Sequence, residues 1–580
     1  MSATSGFGEP VGVGVAVEAG VGVAVGVGDA LLGLGVALLG DGVDELAAGG
    51  VSGALHPTNA PSVRPEEADR ICRRVSTPRF SLPDLCTGCQ TVRPRRNPSR
   101  TYRQNHAVAT DESTAQPDPR RWRILGVTLL VGFMALLDVT VVNVAIPSMQ
   151  AGLQTDTPTI QWVVSGYALA FGLTLVAGGR LGDVYGRRTL MMVGLTGFIL
   201  GSAASGLASS VELVIVARLV QGASAGLLTP QSSGLIQQLF AGRERGIAFG
   251  YFGTTVGVAS AIGPILGGAL IALFGEVDGW RYIFGINVPI GLVAMIFIWR
   301  LVPGRIGALS GTKAQRHIDV VGAVLLGATV FALLLPVVES EDGAGPILWL
   351  LLAVPVLAVA FVQWERREEA RGVAPLLDLG LLRGTPGYTS GVLIGTLYFT
   401  GFTGVLLVIS IFLQTGAGFT PLQAGLVVTP FAVGTAVMSP IAGRLVSHLG
   451  RKITVIAIGV MMSGLVVVLL ALPDSVAEFR WPMVALPLLL AGLGGGAVIS
   501  PNQALSLSDV PPRMGGAAGA ALQTGQRIGS ALGAAIMVTA YEVGLGRGGD
   551  PVAGVTTSLV CSLAILVIAL SAAVWDWRRH

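Results

Sequence analysis

Two charged residues lie inside long apolar runs, where ionisable side chains are rare. Asp138 stands in Leu-Leu-Asp138-Val-Thr-Val-Val-Asn143, and Arg218 stands in Val-Ile-Val-Ala-Arg218-Leu-Val-Gln221. An ionisable side chain in an apolar helix costs about 3 kcal/mol or more, and such residues are usually functional. A carboxyl group can bind and release a proton, and a neighbouring guanidinium favours its charged form. We therefore predict a proton-binding acid with an arginine partner; the alternative is a static ion pair.

A charged turn punctuated by glycine separates two other apolar runs, and a weaker copy of it returns later in the chain. The two copies read Gly179-Arg-Leu-Gly-Asp183-Val-Tyr-Gly186-Arg187-Arg188 and Gly443-Arg-Leu-Val-Ser447-His-Leu-Gly450-Arg451-Lys452. Glycine permits a tight turn and a close approach of helices. Asp183 can accept hydrogen bonds near the start of the next helix, while Arg187 and Arg188 can pair with it or with lipid phosphate. This pattern predicts a cytoplasmic latch that breaks when the protein opens inward, with a weaker latch at Ser447. The alternative is an anchor that only fixes orientation.

Small residues and one proline mark a further apolar run. They are Gly250, Gly263, Pro264, Gly267 and Gly268. Small residues at such spacings let membrane helices approach closely, and a proline inside a helix kinks it. Ordinary helix packing is the alternative interpretation.

Polar residues in the apolar runs are the candidates for lining a substrate cavity. They are Asn143, Gln221, Gln523, Gln526 and Arg527.

The balance of charge in the apolar runs limits the kind of compound that a cavity between them could bind. Apart from Asp138 we find no deep carboxylate, since Asp319, Glu365 and Glu542 lie at the ends of apolar runs. One acid that must also bind a proton balances a dicationic substrate poorly. The sequence therefore favours neutral or monocationic amphipathic compounds.

The composition places these residues in a membrane protein. Of 580 residues, 52% are hydrophobic and only 12% are charged, about half the charged share of a soluble domain. Apolar runs of helix-spanning length recur from about residue 123. We place fourteen spans near 123–146, 160–178, 189–208, 211–233, 246–272, 281–302, 319–338, 346–363, 387–413, 421–442, 453–473, 482–503, 514–541 and 554–576.

The basic residues give the orientation. With a cytoplasmic N-terminus, the predicted outer loops hold only Arg281, Arg480 and Arg547, and the inner loops hold most other Lys and Arg residues of this region. The positive-inside rule then predicts that both termini are cytoplasmic. In this frame Asp138 lies roughly 22 Å above the inner surface and Arg218 roughly 11 Å below the outer surface. In a core about 30 Å thick the two can meet.

The two turns fall after spans 2 and 10, which indicates six spans, an inserted pair and six more spans. The predicted fold is an all-α polytopic membrane protein with two six-helix bundles and a two-helix insertion. The predicted parts are a bundle at 121–302, a linker with the inserted helices at 303–386, and a bundle with a short tail at 387–580.

Residues 1–120 differ from the rest, because they are first Gly-Val-Ala-rich and then polar with many Arg and Pro residues. We expect this low-complexity extension to be disordered. A further hypothesis is that translation starts near Val108, so that residues 1–107 are not made. Cys72, Cys86, Cys89 and His106 fit no common zinc spacing, so we expect no metal.

Several further stretches accompany these motifs. They are Trp280-Arg-Tyr-Ile-Phe-Gly-Ile-Asn287-Val-Pro289, Pro375-Leu-Leu-Asp378-Leu, Phe412-Leu-Gln414 and Pro421-Leu-Gln-Ala-Gly425. Together with the span-1 sequence and the turn, they resemble the fourteen-span drug:proton antiporters of the major facilitator superfamily over about residues 121–576. The small-residue run resembles that superfamily's antiporter motif, although Ala259 stands where its second glycine is expected.

The resemblance implies a proton-driven exporter of amphipathic drugs or antibiotics in the bacterial plasma membrane. In the superfamily the turn is understood as a cytoplasmic gate, and the antiporter motif marks exporters. An uptake symporter for a small metabolite is the alternative. We expect protons, a small-molecule substrate and membrane lipid as partners, a monomer, no cofactor and no nucleic acid. A membrane enzyme would need clustered catalytic residues, and ATP-driven export a phosphate-binding loop; the sequence offers neither.

Overall fold

A computed structural model describes residues 118–304, 319–338, 349–373, 375–377, 379–473, 475–546 and 550–579. The N-terminal extension up to residue 117, with its cysteines and His106, lies outside the described residues, as does Asp378. Within the described part of the chain the regular structure is helical and contains no strand. The prediction of an all-α protein is therefore confirmed for these residues.

Sixteen α-helices follow one another along the described segments. They are α1 Arg121–Leu153, α2 Thr157–Tyr185, α3 Arg187–Leu207, α4 Val211–Leu239, α5 Gly242–Phe274, α6 Gly279–Gly285, α7 Asn287–Leu301, α8 Val320–Val338, α9 Leu350–Ala370, α10 Leu379–Gly384, α11 Pro386–Ile411, α12 Pro421–Leu449, α13 Lys452–Ala471, α14 Pro482–Ser506, α15 Gly515–Gly546 and α16 Pro551–Arg579. A π-helical segment, Phe412–Gly416, continues α11.

Polar caps set where several helices begin. Asp156 accepts a hydrogen bond from the Thr159 backbone N–H at 3.1 Å and so caps α2. Thr420 and Gln423 form a reciprocal capping box at α12. Such caps satisfy backbone donors that have no partner inside the helix. These caps place the starts of α2 and α12 close to the first residues of the corresponding predicted spans.

Twelve helical segments among the described residues are long and apolar enough to cross a membrane. Helices α8 and α9 stand where the predicted inserted pair lies. Helix α8 is apolar along its 19 residues, and α9 ends in a charged stretch. Neither helix is among the twelve, so the count of fourteen spans stays a prediction.

Two buried carboxyl groups lie just before α8 and near the end of α9. Asp319 precedes α8 and accepts hydrogen bonds from Trp364 Nε1 and the Gly322 backbone N–H. Glu365 lies beyond the predicted apolar span, at 0% exposure. Burial first, and then the neighbouring charge of Asp319, raise the pKa of Glu365 to about 8. The raised pKa favours the protonated form of Glu365, which weakens its repulsion with the neighbouring carboxylate of Asp319.

Apolar cores hold the remaining helices together. Two clusters join the helices from α1 to α7; one surrounds Phe198 and the other surrounds Trp280, and both side chains are fully buried. A third cluster joins α11 to α16 around Phe412 and Met461. Smaller clusters pack α8 against α2 and α15. Helix α8 therefore covers one side of the contact between α2 and α15.

Helices α5 and α12 approach each other closely through glycine. A methyl group at Gly443 would lie 2.3 Å from the carbonyl oxygen of Gly246 and 3.0 Å from Cα of Gly250. Methyl groups at Gly253 and Gly257 of α5 would likewise collide with Ser439 and Ala436 of α12. The contact is backbone against backbone, so a side chain there would force the two helices apart.

We predict that Gly443→Ala lowers the thermal stability of the purified protein in detergent by several degrees. The added methyl group meets backbone atoms that cannot turn away, and overpacking of this kind costs about 1–3 kcal/mol. Gly459→Ala on α13 is the matched control, because a methyl group there meets nothing within 4 Å. Equal melting temperatures for the two variants would contradict the close contact.

Candidate functional site

The structure brings Asp138 and Arg218 into direct contact between α1 and α4. Arg218 Nη1 lies 2.5 Å from Asp138 Oδ2, and both side chains are almost fully buried. Arg218 also donates from Nη1 to Gln221 Oε1 at 2.9 Å and from Nε to the Val163 carbonyl oxygen at 3.0 Å. The guanidinium therefore keeps two further acceptors besides the carboxylate.

Two side-chain amides complete the surroundings of the carboxylate. Asp138 Oδ1 accepts hydrogen bonds from Gln221 Nε2 at 2.9 Å and from Asn287 Nδ2 at 2.8 Å. Ser202 Oγ lies between the same two amides and donates to the Phe284 carbonyl oxygen. The network ties α1, α3, α4 and α7 to one acid. Charge-assisted bonds of this kind stabilise the ionised carboxylate.

Sequence reasoning missed two members of this network. Asn287 was identified only as part of a family stretch, and Ser202 was not singled out. A signal for Asn287 was available, because it is a strongly polar residue inside an apolar run. Ser202 gave no such signal, since a serine can bond the backbone of its own helix anywhere in a membrane span.

An aromatic pair extends from the network towards α15. The Arg218 guanidinium lies 4.1 Å from the ring centre of Tyr167, and Tyr167 stacks on Phe171 at 6.3 Å. The Arg527 guanidinium of α15 lies 4.8 Å from the Phe171 ring. The close fit of α4 against α2 at Tyr167 needs Gly222, because a methyl group there would lie 2.2 Å from the Tyr167 carbonyl oxygen.

The charged turn at residues 179–188 contacts a distant helix. Asp183 accepts hydrogen bonds from the backbone N–H groups of Gly516 and Ala517 at 3.3 and 3.0 Å, and pairs with Arg187 at 2.7 Å. We expected the acid to accept hydrogen bonds near the start of the next helix, α3, and Arg187, the first residue of α3, does donate to it. Its other two hydrogen bonds come from the start of α15, where unpaired N–H groups and the helix dipole favour a carboxylate.

The other residues of the turn support this contact. A methyl group at Gly179 would lie 2.5 Å from the Gly516 carbonyl oxygen. Gly186 adopts φ +92°, which favours glycine. Arg188 is partly exposed and lies outside the Asp183–Arg187 pair.

The second copy of the turn lacks the acid and makes different contacts. Ser447 is exposed and its hydroxyl donates to the Arg444 carbonyl oxygen of its own helix. Arg451 pairs with Asp576 of α16, which also accepts from Ser390. This copy therefore connects helices that share the same apolar core.

The small residues of α5 face two different helices. Gly250 packs on Pro440 and Ser439 of α12. Gly263 and Gly267 pack on Thr140 and Val141 of α1. Pro264 lies inside α5. A methyl group at Gly268 would have Leu422 as its neighbour, at 3.8 Å.

The predicted cavity residues differ in their surroundings. Gln221 belongs to the Asp138 network, and Gln523 donates to Ser233 Oγ of α4 at 2.7 Å. Gln526 is buried against Gly395 of α11. Asn143 and Arg527 are exposed. No three His, Cys, Asp or Glu residues group as metal ligands within the described part of the chain.

We predict that Asn287→Ala lowers the melting temperature of the detergent-purified protein by a few degrees. The change removes a donor to a buried carboxylate, and hydrogen bonds to charged groups contribute about 1.5–3 kcal/mol. Asn143→Ala removes the same side chain at an exposed position and should shift melting by about a degree or less, as surface changes do. A loss of equal size in both variants would speak against a specific role of Asn287.

Comparisons with known proteins show the family of the chain. The sequence profile of the Major Facilitator Superfamily matches residues 128–534. The chain is 37% identical over 440 residues to the "Probable actinorhodin transporter" of Streptomyces coelicolor, covering 74% of each chain. It is 34% identical to the "Puromycin resistance protein pur8" of Streptomyces alboniger, covering 75% of this chain and 84% of the relative. It is 30% identical to the "Tetracenomycin C resistance and export protein" of Streptomyces glaucescens, covering 72% and 75%.

Solved structures show the same fold. The human organic anion transporter MFSD10 superposes with a TM-score of 0.58 at 17% identity, covering 79% of this chain and 100% of that one. The proton:xylose symporter XylE superposes with a TM-score of 0.57 at 16% identity, covering 79% and 95%. The expected location in the bacterial plasma membrane is confirmed. The chain belongs to the Major Facilitator Superfamily of multi-pass membrane transporters.

Proposed function

We propose that the protein is a proton-driven exporter of amphipathic drugs, antibiotics or similar small molecules, working by alternating access. The observation that carries the proposal is the buried Asp138–Arg218 pair, with Gln221 and Asn287 as further donors to the acid. An acid held in this way between four helices can couple proton binding to helix packing. Relatives whose names describe antibiotic resistance and export support the direction of transport.

Proton binding would act through Arg218. A protonated Asp138 loses its charge, so the ion pair disappears while Arg218 keeps its bonds to Val163 and Gln221. The guanidinium is then buried without a counterion, which is costly. Rearrangement of the helices that carry these groups would relieve that cost and shift the population towards another conformation.

Asp183 would serve as the cytoplasmic gate. Its bonds to Gly516 and Ala517 join α2 to α15, which belong to the two proposed six-helix bundles. A transporter that opens to the cytoplasm between these helices must break those bonds. The proposal includes a cytoplasmic N-terminus and C-terminus, fourteen spans with the inserted pair α8 and α9, and action as a monomer.

The alternative is an uptake symporter, which would share the fold. Inside-out vesicles with an acidified lumen separate the two. On addition of substrate outside, an antiporter releases protons from the lumen, so the luminal pH rises. A symporter moves protons together with substrate in the same direction, so substrate added outside would carry protons into the lumen and not out of it.

We predict that Asp138→Asn reduces proton-driven efflux to the level seen with an uncoupler, because the amide cannot carry the proton. The measurement is efflux of a dye and antibiotic panel from cells that overexpress the protein, with surface or membrane-fraction levels checked. Asp156→Asn is the matched control, because Asp156 is an exposed helix cap and asparagine caps equally well. Full efflux by Asp138→Asn would remove this acid from the mechanism.

We predict that Asp183→Ala increases exposure of the α2–α15 contact to the cytoplasm. A cysteine at Ala520, which packs on Gly179, reports the opening in a background with the native cysteines replaced. Its reaction with a membrane-impermeant thiol reagent in inside-out vesicles should become several-fold faster in Asp183→Ala. The control is Ser447→Ala in the second copy of the turn, which should leave the rate unchanged. An unchanged rate in Asp183→Ala would refute the gate.

A further inference from the structure

We propose that Arg527 binds the acidic group of the transported compound, so that the substrates are amphipathic organic anions with a carboxylate on an apolar body. This inference rests on the proposed function, since it names the substrate class of the same cavity. It replaces the expectation of a neutral or monocationic substrate.

Arg527 lies on the stripe of α15 that faces the first half of the chain. Gly516, Ala520, Gln523 and Arg527 follow one another at intervals of four, three and four residues, which places them on one helix face. Gly516 donates to Asp183 of α2, and Gln523 donates to Ser233 of α4. Arg527 is the next member of this row and contacts Phe171 of α2.

Exposure changes along this stripe at Arg527. Gly516, Ala520 and Gln523 are buried, and they hold α15 against α2 and α4 on the side where Asp183 lies. Arg527, one turn further along, is exposed. The buried part of the contact of α15 with α2 and α4 therefore ends next to the guanidinium of Arg527. This point lies about 18 Å along α15 from its first residue.

Arg527 lies on the edge of α15 that faces α2, next to the face that α8 covers, because Ala531, four residues further along, packs where α2 and α8 meet. Another face of α15, with Ile528, Leu532 and Ile536, packs on α8 and α9. Residues 527 and 528 point about 100° apart on a helix. The guanidinium on its own face meets the aromatic ring of Phe171, which leaves the edge of the guanidinium open to a ligand.

The charges inside the described spans leave Arg527 without a balancing acid. Away from the helix ends these spans contain three charged residues, Asp138, Arg218 and Arg527. Asp138 and Arg218 pair with each other, so the remaining charge is that of Arg527. A guanidinium stays protonated in proteins and offers a planar fork of donors that matches a carboxylate. Between apolar helices such a charge attracts an anion more strongly than it would in water.

The same charge disfavours cations. A cationic compound would approach Arg527 against like-charge repulsion, with the Asp138 carboxylate already occupied by Arg218 and two amides. An apolar body suits the surrounding spans, and a single carboxylate suits the guanidinium edge. The chemistry of the cavity therefore selects an amphipathic acid.

The test uses a panel of fluorescent aromatic carboxylic acids, each paired with its neutral primary amide. Binding to the purified full-length protein in detergent is measured by fluorescence titration for the natural chain and for Arg527→Gln, Arg527→Lys and Arg243→Gln. Arg243 is an exposed cation at the start of α5 and serves as the control. Melting curves check that each variant is folded.

We expect acids to bind the natural chain more tightly than their amides. Arg527→Gln should weaken acid binding roughly tenfold or more, because it removes the charge-assisted hydrogen bonds to the carboxylate. It should leave amide binding nearly unchanged, while Arg527→Lys should retain most of the preference for acids and Arg243→Gln all of it. The proposal is overturned if no acid binds better than its amide, or if Arg527→Gln weakens acids and amides equally.

Proteoliposomes with an imposed proton gradient separate this proposal from the proposed function. Proton-driven transport of amides but not of acids would overturn the anion site and leave the exporter standing. Arg527-dependent binding of acids without any proton-driven transport would overturn the proton-driven exporter and leave the anion site standing. Transport of acids that depends on both the gradient and Arg527 supports both.

Discussion

The arrangement of the first seven helices depends on keeping one ion pair satisfied in an apolar medium. A carboxylate and a guanidinium buried together lose the solvation that water would provide, and their mutual attraction compensates only if their remaining donors and acceptors are also paired. Here Gln221 and Asn287 donate to Asp138, and Val163 and Gln221 accept from Arg218. These partners come from different helices. The positions of α1, α2, α4 and α7 relative to each other are therefore constrained by one pair of charges.

Two of the contacts between the halves differ in kind, and the difference bears on which one can open. Helices α5 and α12 meet backbone to backbone through Gly246, Gly250 and Gly443. Helices α2 and α15 meet through a carboxylate that accepts two backbone hydrogen bonds at a helix start. Water can replace such hydrogen bonds when the contact opens, so breaking one loses only its net contribution, about 1.5–3 kcal/mol for a charged acceptor. The absence of an acid at Ser447 makes this polar contact a property of the first turn alone.

The sequence allowed much of the fold to be predicted, because apolar runs report membrane helices almost independently of their neighbours. That Asp138 and Arg218 could meet followed from their depths in the membrane. The partner of Asp183 did not, since it lies 333 residues away and no local rule selects a helix start at that distance. Helices α8 and α9 stand where the inserted pair was predicted, and whether both cross the membrane stays a prediction. The exposure of Arg527 depends on which face of α15 is covered by α8, and this is a matter of packing between distant segments.

The aromatic pair between Arg218 and Arg527 gives the two charges a common environment. Tyr167 lies under Arg218 and stacks on Phe171, which in turn lies under Arg527. While Asp138 is ionised, its charge neutralises that of Arg218. Arg527 is then exposed only to the weak dipole of the ion pair. In the proposed mechanism, protonation of Asp138 would leave two unneutralised cations, Arg218 and Arg527, at the two ends of the aromatic pair. The ring contacts of 4.1, 6.3 and 4.8 Å place the two guanidinium groups no more than about 15 Å apart. At an effective dielectric constant of about 20 their repulsion is then on the order of 1 kcal/mol or more, and a bound anion at Arg527 would cancel it. Proton binding at Asp138 and anion binding at Arg527 would then both change the electrostatic repulsion between Arg218 and Arg527.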